Sequence, residues 1–189
     1  MTMTTVIDNF SVQTPAVTIL SGSVGPTYTE EESILGGVRS STLAIGLNPY
    51  KVPANLDISE GYLKLSTGVG QFLTVDIAYG ILEGGLIQPL SSSGVGDFLS
   101  MGRAIRTKFV VGDGRDITIN YNIVIYTASG YAHYGENVHP RAYGPTPIDF
   151  PFDNFGINSD TPADLASVSA ILFRFQSWAD FVIDSFEIV

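Results

Sequence analysis

Apolar and polar residues alternate with a period of two over much of this chain. Successive side chains of a strand point to opposite faces, so the alternation predicts half-buried strands. From Asp116 to Thr127, Ile117, Ile119, Tyr121, Ile123 and Ile125 face one way, and Thr118, Asn120 and Asn122 face the other. Over Gly61 to Thr67, Leu63 and Leu65 alternate with Tyr62, Lys64 and Ser66. After Gly68-Val69-Gly70, Leu73, Val75, Ile77 and Tyr79 alternate with Thr74, Asp76 and Ala78, which predicts a hairpin over 61–79. Near the end, Ile171, Phe173 and Phe175 share one face of a strand from Ser169 to Phe175. A polar turn, Gln176 to Asp180, then leads into a closing strand. Further strands are predicted over Thr4 to Phe10, Val17 to Leu20, Val38 to Leu47, and Phe98 to Val111. The last of these ends at a strong turn signal, Gly112-Asp113-Gly114-Arg115.

The polar stretches set the connections. Ser21 to Ser33 reads as a loop, and Asn48 to Asn55, with Pro49 and Pro53, reads as another. Gly80 to Gly96 is a long Gly- and Ser-rich loop, and Ala128 to Asp149, with three prolines, reads as the longest irregular segment. Pro162 to Val168 offers one turn of helix, with Thr161 as a cap. Many short strands with frequent turns predict an all-β fold: a single antiparallel β-sandwich domain of jelly-roll type over residues 1–189.

Composition narrows the function. Charged residues are 15% of the chain, against about 25% in ordinary soluble proteins. The net charge is −10, with nine Lys and Arg in all. Nucleic-acid binding needs a basic patch, and Arg103, Arg106 and Lys108 are spread along one strand, so nucleic acid and anionic membrane are not expected partners. The absence of cysteine removes disulfides and thiol chemistry. No apolar run approaches the ~20 residues of a membrane span, and the MTMTTVIDNF start lacks the features of a signal peptide. The chain therefore stays inside the cell, leaves by another route, or has a leader outside this numbering.

Candidate chemistry is sparse. His133 and His139 form a conceivable metal pair, with Glu136 or Asp149 as a third ligand. Nineteen acids offer many carboxylate pairs, and no spacing singles one out for glycoside hydrolysis, so no catalytic residue is expected. Calcium takes 6–8 oxygen ligands. Asp153, Asn154, Asn158, Asp160 and Asp164 could supply them, as could Asp8 and Asp184 if the first and last strands lie side by side. Asp and Asn at turns also serve turn geometry. Glycan binding would use aromatic faces with polar groups beside them. Tyr131, His133, Tyr134, Tyr143 and Trp178 are the loop or turn candidates for that role.

Several segments carry a family resemblance. Val6-Ile7-Asp8-Asn9-Phe10, Ile34-Leu35-Gly36-Gly37-Val38-Arg39 and the Gly112 to Tyr121 turn and strand fit in order. So do Phe150-Pro151-Phe152-Asp153-Asn154-Phe155, Ala163-Asp164-Leu165, Val168-Ser169-Ala170-Ile171 and Asp180-Phe181-Val182-Ile183-Asp184. In this the chain resembles the β-sandwich domain of bacterial PEP-CTERM-type surface proteins associated with exopolysaccharide. No Pro-Glu-Pro signal, membrane segment or basic tail is present, which departs from that pattern and leads one to expect a free rather than an anchored protein. The resemblance implies an extracellular or cell-surface, non-catalytic sandwich, with a cytoplasmic one as the alternative. The leading expectation is a structural matrix protein that self-associates into an oligomer or filament through sandwich edges and termini. The alternative is a carbohydrate-binding module acting through loop aromatics, and a glycoside-acting enzyme ranks below both.

Overall fold

The alternating segments fold into two facing antiparallel sheets in a computed structural model, which describes residues 4–31, 34–80, 82–83, 86–87, 96–112, 118–127, 129–140, 143–157 and 164–189. The strands are β1 (Thr5–Asp8), β2 (Thr14–Ile19), β3 (Ser23–Glu30), β4 (Val38–Leu47), β5 (Ala54–Ser59), β6 (Tyr62–Ser66), β7 (Phe72–Tyr79), β8 (Leu82–Glu83) and β9 (Leu86–Ile87). They continue with β10 (Ala104–Gly112), β11 (Ile119–Thr127), β12 (Gly130–Val138), β13 (Tyr143–Pro151), β14 (Gly156–Ile157), β15 (Val168–Ser177) and β16 (Phe181–Ile188). A front sheet runs β14-β12-β11-β15-β7-β4-β3. A rear sheet runs β13-β10-β16-β6-β5-β2, with β1 also paired to β16. The small hairpin β8-β9 is separate. The chain steps repeatedly from one sheet to the other, and the architecture is the antiparallel β-sandwich of jelly-roll type that the alternation predicts.

Four expectations need correction. The segment 61–79 does form two strands, yet they do not pair. β6 lies in the rear sheet beside β5 and β16, while β7 lies in the front sheet between β4 and β15. A short turn can fold back within a sheet or step across to the facing sheet, and alternation reads the same in either case. Second, Ser21 to Ser33 is mostly strand β3, a largely exposed edge whose polar residues hide it. Third, Ala128 to Asp149 is not irregular: it holds β12 and β13. β13 carries Pro145, Pro147 and Pro151, which an edge strand tolerates where the missing N–H would face outward. Fourth, Phe98 opens on a helical turn, Phe98–Met101, before β10.

The core is aromatic. Phe173 of the front sheet stacks on Phe186 of the rear at 4.0 Å, and Tyr121 stacks on Phe175 at 4.3 Å. Phe109 meets Tyr121, Phe175 and Phe181 edge-on. The buried Tyr121 hydroxyl bridges the sheets by a 2.7 Å hydrogen bond with Thr107 Oγ1.

One charged pair lies inside this core. Arg39 on β4 is 1% exposed and Asp8 at the end of β1 is 3% exposed. Arg39 Nη1 donates to Asp8 Oδ2 at 2.6 Å, and Tyr79 Oη donates to the same oxygen at 2.9 Å. Arg39 Nη2 donates to the Val12 carbonyl and to Thr14 Oγ1. Asp8 Oδ1 accepts the Phe10 amide at 2.7 Å and so holds Phe10 at φ 55°, a region that non-glycine residues rarely visit. The Arg39 guanidinium lies 5.7 Å from the centre of the Phe10 ring, and Phe10 packs edge-on against Phe186. The segments Val6 to Phe10 and Ile34 to Arg39, distant in sequence, thus meet in one interior contact.

Candidate functional site

The outward surface of the front sheet is a grid set by strand register. On β11 the inward residues Ile119, Tyr121, Ile123 and Ile125 leave Asn120, Asn122, Val124 and Tyr126 outside. Opposite them stand Asn137, Gly135, His133 and Tyr131 on β12. On the other side stand Gln176, Arg174, Leu172 and Ala170 on β15. Gln176, Arg174 and Leu172 in turn face Thr74, Asp76 and Ala78 on β7, and those face Ala44, Thr42 and Ser40 on β4.

Three kinds of group occupy this grid. An amide chain runs across it: Asn122 Nδ2 donates to Asn120 Oδ1 at 2.8 Å, and Asn120 Nδ2 donates to Asn137 Oδ1 at 3.2 Å. Each amide has two donor hydrogens and an acceptor oxygen with two lone pairs, so three amides joined by two bonds keep capacity for ligand hydroxyls. Gly135 makes room for this chain, since a Cβ there would fall 2.3 Å from Asn122 Oδ1. At the centre, Arg174 and Asp76 form a two-pronged ion pair, both contacts 2.8 Å, and this bond raises the Arg174 pKa. Beside it the small Thr42 and Ala44 on β4 are partly open to solvent, while Ser40, Ala78 and Ala170 are buried.

Aromatic pairs stand at the two ends. Tyr126 and Tyr131 lie cross-strand with ring centres 6.0 Å apart and planes at 35°. Partial burial raises the Tyr126 phenol pKa, against the opposing pull of Arg174. At the other end Trp178 follows β15 and lies 5.0 Å from the ring of Phe72 on β7. The Phe72 ring covers Gly46, where a Cβ would come within 3.1 Å of it. Trp178 remains 53% exposed.

The rear sheet's outward surface is different. Arg106 bonds Asp149, Lys108 bonds Glu187, and Lys64 bonds Glu60, with Asp57 at 3.7 Å. Of the ion pairs outside the core among the described residues, only Arg174–Asp76 belongs to the front face.

The residues singled out from sequence divide as follows. Tyr131, His133 and Trp178 share the front face, with Tyr131 and His133 on a strand rather than a loop. Tyr134 points the other way: its ring packs on Phe150 and Phe155, and its hydroxyl donates to Glu136 Oε2, a bond that raises the phenol pKa. The Tyr143 side chain lies outside the described residues. Residues Asn120, Asn122, Tyr126, Asp76 and Arg174 were missed, although the outward alternation of Asn120 and Asn122 was legible.

The metal sets do not assemble among the described residues, where no group of three His, Asp or Glu converges. His133 and His139 are six residues apart along an extended chain, or about 20 Å, and so cannot share one ion. Glu136 is engaged by Tyr134 and Asp149 by Arg106. β1 and β16 do lie side by side, but Asp8 is committed to Arg39 in the interior, and Asp184 sits half-buried at a bulge next to Ser185. Asp153 and Asn154 occupy an exposed 3-10 turn, and Asp164 Oδ1 accepts the Ala166 amide in turn geometry. Asn158 and Asp160 lie outside the described residues.

No family model matches the chain, and no curated protein matches it in sequence. Solved structures do resemble it. The family 11 carbohydrate-binding module of the cellulosomal cellulase Lic26A-Cel5E of Clostridium thermocellum matches with a TM-score of 0.48 at 12% identity, covering 100% of this chain and 95% of that one. The Clostridium thermocellum family 11 module in complex with a β-1,3-1,4-mixed-linked tetrasaccharide matches at 0.44 and 12%, over 98% and 95%. The solution structure of CtCBM11 matches at 0.47 and 13%, over 99% and 95%. Similarity at this level says nothing about which residues bind, and the site stands on its own geometry.

Proposed function

We propose that this chain is a non-catalytic carbohydrate-binding domain of the cell exterior, and that it binds polysaccharide on the outward face of the front sheet. The observation that carries the reading is the arrangement of that face. Exposed aromatic rings stand beside a chain of three amides, and the Arg174–Asp76 ion pair is internally satisfied. Sugars present apolar ring faces and a rim of hydroxyls, and this surface offers both complements without a net charge. Among the described residues no helix is long and apolar enough to cross a membrane.

Assembly by strand addition is less well supported. Pro15 on β2 and Pro26 on β3 fall at irregularities in their ladders, and Pro145, Pro147 and Pro151 punctuate β13. These are edge strands, and proline there removes the donors that an incoming strand would need.

The test is affinity electrophoresis against a panel of soluble β-glucan, xylan, galactomannan and alginate. Retardation by at least one neutral polymer is expected. Tyr131→Ala and Gly135→Ala should each weaken it by about tenfold or more, the scale of a buried aromatic or hydrogen-bonding anchor. Lys64→Ala, on the rear face, should change nothing. No retardation by any polymer, or equal loss from Lys64→Ala, would overturn the reading.

A further inference from the structure

We propose that the two aromatic pairs act as two anchors for one polysaccharide strand, so that the front face selects its ligand by length. This rests on the glycan-binding reading above and goes a step beyond it. Tyr126 stands opposite Ala170, and Trp178 lies eight residues further along the same strand direction. At ~3.3 Å per residue that is about 27 Å. The two pairs therefore share a face but cannot be covered by a short oligosaccharide. A strand that reaches from Phe72 and Trp178 to Tyr126 and Tyr131 passes over Gln176, Thr74, Arg174, Asp76 and Leu172.

The ground between the anchors suits an extended, uncharged polymer. Gln176 lies 3.5 Å from Thr74 Oγ1, and Arg174 and Asp76 satisfy each other through two bonds. An ion pair closed on itself offers hydrogen-bonding atoms at its rim and no unbalanced charge to reward an acidic sugar. Trp178 is placed to be an anchor and not a core residue: it is half-exposed, and its described ring contact is with Phe72, which is itself held over Gly46. Two sites joined by one ligand act at a high effective concentration, which raises affinity by roughly 10²-fold or more over either alone when the connecting length fits.

The experiment is calorimetric titration with size-graded oligosaccharides from the β-glucan, xylan and galactomannan of the same panel. Affinity is expected to rise with chain length until the ligand spans about 27 Å and then level off. Trp178→Ala and Tyr131→Ala should each bring the long oligosaccharides down to the affinity of the short ones, while short ones lose only from the anchor they occupy. If short and long oligosaccharides bind equally, or if Trp178→Ala leaves long-chain affinity unchanged, the two-anchor inference is wrong while glycan binding stands. If no neutral polymer or oligosaccharide binds at all, both fall together.

Discussion

Asp8→Ala tests the interior account most sharply. The substitution removes the carboxylate that accepts from Arg39 Nη1, from Tyr79 Oη and from the Phe10 amide. It leaves a guanidinium that is 1% exposed without its counter-charge. Arg39 Nε already has no hydrogen-bond partner, so the remaining contacts to Val12 and Thr14 cannot compensate. Breaking a buried ion pair by deleting one partner costs about 3–5 kcal/mol. At ~2–4 °C per kcal/mol for a chain of this size, the melting temperature should fall by about 6–20 °C. Urea unfolding followed by fluorescence of the single tryptophan gives the free energy directly. The companion variant Asp8→Leu/Arg39→Met removes both charges and should recover part of the loss, because an apolar pair need not be desolvated as ions. A cost below about 1 kcal/mol for Asp8→Ala would refute the reasoning, since that is the scale of an exposed pair. So would a double variant weaker than the sum of its singles.

Alkaline titration probes the same core by another route. Burial first of all raises the phenol pKa of both Tyr79 and Tyr121, with the Asp8 charge raising Tyr79 further. The unfolded phenols titrate near 10, so above that pH the folded state retains protons that the unfolded state releases, and stability falls as pH rises through the window between the two values. Absorbance of tyrosinate should therefore show two of the nine tyrosines ionising only as the fold is lost, and smooth ionisation of all nine before unfolding would be the contrary result. At the edge, the chain should elute as a monomer, and Pro145→Thr/Pro147→Thr, which restores two N–H donors to β13, should shift it toward larger species with rising concentration. A wild-type chain that polymerises freely would show that the prolines do not guard the edge.

Most of the core strands were legible because each carries its own alternation, whereas β3, β12 and β13 were not, and the sites were not because each is assembled across long sequence separations. Asp76 and Arg174 lie 98 residues apart, and nothing local marks them as partners. Phe72 and Trp178 meet only because β7 and β15 are neighbours, and the sequence around each reads as a simple turn. Asn120 and Asn122 could be assigned to the outward face of β11, but what stands beside them depends on β12, whose inward positions Ala132 and Tyr134 make a weak apolar signal. The prolines of β13 pointed to loop, and only its place at the edge reconciles them with a strand. The hairpin over 61–79 failed for a related reason: periodicity reports which residues are buried, not which sheet buries them.

The two outward faces bear on what kind of ligand the sandwich can take. The rear face carries Arg106, Lys108 and Lys64, each beside a carboxylate, and the exposed pairs Arg106–Asp149 and Lys64–Glu60 stabilise by only about 0–1 kcal/mol each. They do little for the fold, yet they keep that surface hydrated and unsuited to stacking on a sugar ring. The front face holds the Arg174–Asp76 ion pair at its centre and gives its ends to aromatic rings. A chain with net charge −10 repels polyanions at long range, and the front face offers no unpaired cation among its described grid positions to offset that repulsion. An uncharged polymer meets no such barrier. Among polysaccharides, the neutral ones are those for which stacking and hydroxyl recognition alone suffice, and those are the two means this face provides.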